Sequence, residues 1–209
     1  MPRAGLTPAS VAEEAAVLSD EQGFAGLSLA AVAKRLGVAT PSLYKHVDGL
    51  AGLRREVAVL GAAGLGVWVQ RAAVGRSGPE ALRAAAEAYR SYAHAHPGRY
   101  AALQQAPELA GAHVELSPDP VAVLAAVLRG FGIAEGQTVH AIRALRSALH
   151  GFVDLETNGG FGLPEDVDES FALLVEGFVR AFEQWPGAAS GPRPQTYGST
   201  ADETTTGRH

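Results

Sequence analysis

A chain of 209 residues with 47% hydrophobic side chains can bury the cores of a small head and a larger body. The absence of cysteine excludes disulfides and thiolate sites and fits a reducing cytoplasm. The net charge of −5 argues against a nucleic-acid partner until it is divided: residues 1–75 carry 7 basic and 6 acidic side chains, whereas residues 76–209 carry 10 and 16. The acid belongs to the second part, so the first can face a polyanion. No secretory leader is read at the N-terminus, and the longest apolar run, Val57 to Val69, is glycine-broken and too short for a bilayer. No membrane partner is expected.

Met1 to Leu6 reads as a short arm with Arg3 as its one cation. A first helix is expected from Thr7 or Pro8 to Gln22, with Val11, Ala15 and Leu18 inward, ended by Gly23; Phe24 and Leu27 then anchor the connection. Leu29, Val32, Ala33 and Leu36 recur at i, i+3, i+4 and i+7 and form one apolar stripe. Ser28 stands at the N-cap and Gly37 at the left-handed C-terminal position. A second short helix is expected over 40–47, with Thr40 as N-cap, Pro41 at the first helical position, and Leu43 and Val47 inward.

Thr40, Ser42, Tyr44, Lys45 and His46 remain outward on that second helix, and such groups bond to phosphate oxygens and base edges. Between residues 28 and 55, Lys34, Arg35, Lys45, Arg54 and Arg55 oppose Asp48 alone. The pattern is that of a helix-turn-helix with its recognition helix at 40–47. On pattern alone, an ordinary helical hairpin with a solvated polar face competes with it.

The string Leu29-Ala30-Ala31-Val32-Ala33, then Gly37-Val38, then Ser42-Leu43-Tyr44-Lys45-His46, resembles the N-terminal DNA-binding domain of TetR-type transcriptional regulators over about the first 60 residues. Where that pattern places an aromatic after the His and a Lys at the next helix start, this chain has Val47 and Leu50, leaving Arg54 or Arg55 as candidates for the phosphate contact. The resemblance implies an all-α fold of about nine helices. A three-helix DNA-binding head over 1–48 would precede a helical ligand-binding and dimerisation body over 49–185. The DNA-binding residues would be Ser28, Thr40, Pro41, Ser42, Tyr44, Lys45 and His46. Ser42, Tyr44 and Lys45 are assigned to bases, and Ser28, Thr40 and His46 to phosphates. The partner would be double-stranded DNA with a palindromic operator.

After Asp48, read as a cap, a long helix is expected over Gly49 to Ala73: Leu50, Leu53, Val57 and Leu60 on the head, Leu65, Trp68 and Val69 in the body. Its glycines at 52, 61, 64 and 66 mark either a soft rod that tilts or close packing on a neighbour. Residues 75–79 read as a linker. From Glu80, Leu82, Ala86, Tyr89 and Tyr92-Ala93 share a face, Pro97 breaks the run, and Arg99 to Ala106 is a short helix. Trp68, Tyr89, Tyr92, Tyr100, Leu103, Leu124 and His150 are candidate walls of a pocket for a small apolar or amphipathic effector. Tyrosines on a helix face are also common core residues.

Residues 107–118 read as an irregular loop, Asp119 to Phe131 as an apolar helix, and Gly136 to Asn158 as a long helix ended by Gly159-Gly160. Asp166, Asp168 and Glu169 crowd the positive end of the last helix. The wide apolar faces of the last two helices suggest a partner, with Leu149, Phe152, Phe171, Leu174, Val175, Phe178 and Phe182 at a homodimer interface. His150-Gly151 in SALHGFVDLE resembles the body of the TetR subgroup named for a Trp-His-Gly signature, over roughly residues 80–185. From Pro186 onward a disordered tail is expected.

No cofactor or metal is expected. His94 and His96 fall on different faces, and no carboxylate stands at ligand spacing beside His113, His140 or His150. Ser147 and His150 are one turn apart, yet no oxyanion hole is suggested, and His150 reads as a buried group bonding across helices. The reading is a homodimeric repressor released from its operator by a small effector. The rivals are a helical enzyme or carrier whose head is only structural, and an activator or architectural DNA binder with no effector.

Overall fold

The computed structural model describes residues 6–105 and 118–186. The arm with Arg3, most of the loop at 107–118 with His113, and the tail expected beyond Pro186 lie outside those residues. Eight α-helices and two 3-10 turns make up the described chain: α1 Pro8–Gln22, a turn at Phe24–Gly26, α2 Leu29–Leu36, a 3-10 helix at Thr40–Lys45, α3 Gly49–Ala73, α4 Gly78–Ala95, α5 Pro97–Gln104, α6 Pro120–Arg129, α7 Glu135–Thr157 and α8 Val167–Glu183.

Local signals place the ends. Thr7 and Ser10 cap α1 reciprocally, the Ser28 hydroxyl accepts the Ala31 N–H at 3.2 Å, and Gly37 closes α2 at φ 69°. Asp119 and Asp166 cap α6 and α8 by accepting the N–H groups of Val121 and of Asp168 and Glu169. Thr40 is not the cap expected of it: Ala39 stands there with no side-chain bond, and Thr40 is the first helical residue. Asp48 holds the N-cap position of α3 without a side-chain bond. Residues 78 and 79, read as linker, already belong to α4.

Two cores share one rod. Val11, Leu18, Phe24, Val32, Leu43 and Val47 close the head on the first half of α3, at Leu53, Val57 and Ala58. Leu65 and Val69, further along α3, belong to the body core with Leu82, Leu128, Leu145, Val153 and Phe182. The glycines of α3 serve close packing. A Cβ at Gly61 would strike the Arg99 carbonyl, one at Gly64 the Tyr92 ring, and one at Gly66 the Pro118 carbonyl. Three backbones or rings approach the rod because it has no side chain there, which favours the packing alternative over the tilting one.

Four residues assigned to a partner surface are corrected. Leu149, Phe171, Val175 and Phe182 are buried inside this chain, because the stripe at 171, 175, 179 and 182 is the face α8 turns to its own body. Phe152, Leu174 and Phe178 are half-buried, while Leu173 at 64% and Leu155 at 49% exposure stand outward.

Candidate nucleic-acid interface

The segment Thr40–Lys45 is a 3-10 helix and does not run on to Val47 as an α-helix. Pro41 donates no N–H, six residues gain little from α-helical cooperativity, and the turn closes with the Ser42 N–H on Ala39 O and the His46 N–H on Leu43 O. The tighter winding has a consequence for side chains, since residues three apart eclipse. Thr40, Leu43 and His46 form one column, with Leu43 fully buried and its two neighbours half-buried. Pro41 and Tyr44 form a second, exposed column, and Ser42 and Lys45 a third at its edge. Tyr44 is 61% exposed, the most exposed aromatic side chain among the described residues.

The surface is braced from behind. Val32 and Ala33 of α2, Phe24 and Leu27 of the first turn, and Leu53 of α3 pack under Leu43 and Val47 in a single cluster. The Ser28 hydroxyl accepts from Ala31, which leaves its hydrogen free to donate. The seven residues assigned to DNA therefore lie on the head's outer side or its half-buried edge.

The cation count needs a correction. Arg35 pairs with Glu14 at 2.6 Å and with Glu21, and these bonds hold the Glu21 carboxyl below its ordinary range. Its charge is spent on α1, where Glu14 and Glu21 face it one helix away. Arg54 donates to the Ala25 carbonyl and lies 5.5 Å over the Phe24 ring, so it holds the turn. Lys34, Lys45 and Arg55 are exposed and carry no ion pair among the described residues. Arg55 is thus the available one of the pair Arg54 and Arg55.

Comparison with known proteins decides what this head belongs to. Residues 11–57 match the family model described as bacterial regulatory proteins, tetR family, and residues 82–178 match the tetracyclin repressor-like C-terminal domain. The chain belongs to the TetR family. It is 36% identical over 182 residues to the HTH-type transcriptional regulator YobS of Bacillus subtilis, covering 85% of this chain and 93% of that one. It is 37% identical over 201 residues to the HTH-type transcriptional regulator Rv0681 of Mycobacterium tuberculosis, covering 95% of this chain and 87% of that one. BioQ, solved with its double-stranded DNA operator, superimposes with a TM-score of 0.58 at 21% identity, over 84% of this chain and 99% of that one. The last likeness is one of fold. As a TetR-family member the chain is a DNA-binding transcriptional regulator, and its 3-10 helix with the exposed Tyr44 lies within the matched N-terminal segment.

The body residues assigned to a pocket divide in two. Tyr92 is a strut: its hydroxyl donates to the Gly61 carbonyl at 3.0 Å and its ring meets Trp68 edge-on at 5.6 Å. Leu124 is buried core, and Leu103 and Trp68 pack against that core half-covered. Tyr89, Tyr100 and His150 instead form a polar chain, Tyr89 to Tyr100 at 3.0 Å and Tyr100 to His150 Nδ1 at 2.7 Å, joining α4, α5 and α7. His150 thus bonds across helices, and the exposed Ser147 makes no hydrogen bond to it among the described residues. Burial pushes both phenols up from their ordinary range. Gln104 and Arg146, which adjoin this chain, carried no sequence signal, because one lies at a helix end and the other on a mixed helix face.

Among the described residues, no three His, Asp or Glu side chains gather closely enough to hold a metal ion, and no helix is long and apolar enough to cross a membrane.

Proposed function

We propose that the chain acts as a homodimeric repressor whose 3-10 helix reads base edges in the major groove and whose body responds to a small amphipathic effector. Carrying the proposal is the sorting of the recognition segment by its 3-10 period: the Pro41–Tyr44 and Ser42–Lys45 columns are outward on a base fixed by Leu43. Ser42, Tyr44 and Lys45 would meet bases, Ser28, Thr40 and His46 phosphates, with Lys34 and Arg55 adding backbone contacts.

The dimer reading rests on two glycines. Gly151 of α7 and Gly177 of α8 sit in helix interiors, each at a cost of about 1 kcal/mol relative to alanine, and among the described residues nothing lies within 4 Å of a Cβ there. They share outward faces with Phe152 and Leu155 on α7, and with Leu173, Leu174 and Phe178 on α8. A missing side chain between exposed apolar ones lets a second copy's helices approach closely. The two copies would then form a four-helix bundle and hold two heads at the spacing of half-sites on one duplex.

For an effector to release DNA it must bind the two head spacings with different affinity. The test is fluorescence anisotropy on a duplex the protein itself has selected from a random pool. Tyr44→Ala is expected to weaken binding about tenfold or more with the dimer intact, and unchanged affinity refutes the assignment.

A further inference from the structure

Beyond the head-facing half of α3, where Arg54 lies, the described body holds three arginines that are not exposed, and they differ in one respect. Arg90 pairs with Glu156 and with Asp168 at 2.6 Å, and Arg99 pairs with Asp20 at 3.2 Å and Glu13 at 3.7 Å. Arg146, half-buried on α7, has no carboxylate within ion-pair distance among the described residues. Its side-chain hydrogen bond there runs to the Gln104 amide oxygen at 3.1 Å, and with the Tyr89 hydroxyl also beside it most of its five donors still lack a described acceptor.

Gln104 has the complementary defect. Its oxygen is taken by Arg146, and its buried Nε2 has no hydrogen-bond partner. Two donors of different kind, a guanidinium and an amide N–H, thus converge at the end of α5 with one amide oxygen between them. Close by is the Tyr89–Tyr100–His150 chain, whose phenols both feel Arg146: its positive charge pulls them down against the burial that raises them. The body-core residues that cluster with those tyrosines, Leu145, Leu149, Ile142 and the half-covered Leu103, are apolar.

A cluster with a surplus of donors and a net positive charge, set in an apolar wall, is complementary to one kind of small molecule. We infer that the body binds a ligand with a carboxylate on an apolar frame, one oxygen accepting from Arg146 and the other from Gln104 Nε2. The carboxylate replaces the Gln104 oxygen as the guanidinium's partner and leaves the tyrosine chain to meet the adjoining part of the frame. This deepens the reading of the body as an effector-binding domain and rests on it for its biological use. The ligand class itself is a property of the DNA-free protein.

Calorimetry on the DNA-free protein tests it with two matched pairs, cinnamate against cinnamamide and decanoate against decanol. Wild type is expected to bind a carboxylate and to bind its neutral analogue at least about tenfold more weakly. Arg146→Gln is expected to lose about 10- to 100-fold in affinity for that carboxylate, the order of a lost charge-assisted pair, with Arg146→Lys between them. Arg143→Gln, at an exposed position on the same helix, is expected to match wild type. Neutral analogues binding as tightly as the acids, indifference to Arg146→Gln in a protein of unchanged helicity, or no binding of either acid at millimolar concentration each overturn the inference. The wild-type comparison stands even if the variant misfolds. Operator binding is measured separately, so loss of the regulator reading leaves a different signature.

Discussion

Asp20, near the end of α1, accepts the backbone N–H of Arg99 at 2.9 Å, and the two side chains approach to 3.2 Å. His96 adds a third contact to the same carboxylate at 3.3 Å, and Gly98 lies so close to the Ser19–Asp20 backbone that no Cβ would fit. The joint fastens the head's first helix to α5, which carries Tyr100 next to Arg99 and Gln104 at its far end. Asp20→Ala is expected to lower stability by about 2 kcal/mol, since it leaves a helix N–H unpaired and the half-buried Arg99 guanidinium with only the longer contact to Glu13 at 3.7 Å. Urea unfolding checks this, and a loss below about 0.5 kcal/mol would show that the joint is not holding.

Lys45 is exposed with no described ion-pair partner, and it stands beside Tyr44 on the reading surface. Lys45→Ala is expected to weaken operator binding and to leave the slope of log affinity against log salt nearly unchanged, because the ammonium is assigned to a base edge. A change of slope by about one would place Lys45 on a phosphate instead. Arg35→Ala is expected to leave the slope unaltered, because that charge is already shared with Glu14 and Glu21.

Glu156 binds Arg90 at 2.9 Å and His94 at 3.0 Å in a cluster that ties α4 to α7. Chiefly because of the Arg90 hydrogen bond, and against the opposing effect of burial, its carboxyl is held below its ordinary value of 4.5. A lowered folded pKa means stabilisation that is present above about pH 4.5 and lost as the pH falls through the folded value. Glu156→Gln is accordingly expected to melt below wild type at pH 7, with the gap closing as both are acidified. A gap of constant size down to pH 3 would show that charge plays no part.

The helix spans of the body were legible because their apolar periods are long: α3 runs over Gly49–Ala73 as its pattern predicts, and α7 differs by one residue at each end. The form of the recognition segment was not, since Leu43 and Val47 at i, i+4 fit an α-helix as well as they fit a 3-10 helix followed by a turn in which the Val47 N–H bonds back to Leu43 O. Which face of α8 is inner was also hidden. Phe171, Leu174, Val175, Phe178 and Phe182 make one broad stripe in sequence, and only packing on the body separates buried Phe171, Val175 and Phe182 from half-covered Leu174 and Phe178. The Asp20–Arg99 joint joins residues 79 apart, a separation at which no local pattern speaks.

Gly177 and Gly66 form a contrasting pair. Gly66→Ala forces a methyl onto the Pro118 carbonyl and is expected to destabilise the chain by about 1–3 kcal/mol, despite the better helix propensity of alanine. A Cβ at Gly177 has no neighbour within 4 Å among the described residues, so Gly177→Leu should keep the helix content while the partner helices are pushed apart. Sedimentation of Gly177→Leu should show monomer at concentrations where wild type is dimeric. A dimer unaffected by the leucine would place the interface elsewhere.

The most direct test of the whole account is selection of bound sequences from a pool of random duplexes by the purified protein at low salt. A dimer presenting two Tyr44-bearing surfaces is expected to enrich an inverted repeat whose half-site centres lie about one helical turn apart. Enrichment of a single unrepeated site, or of no sequence at all, would contradict it.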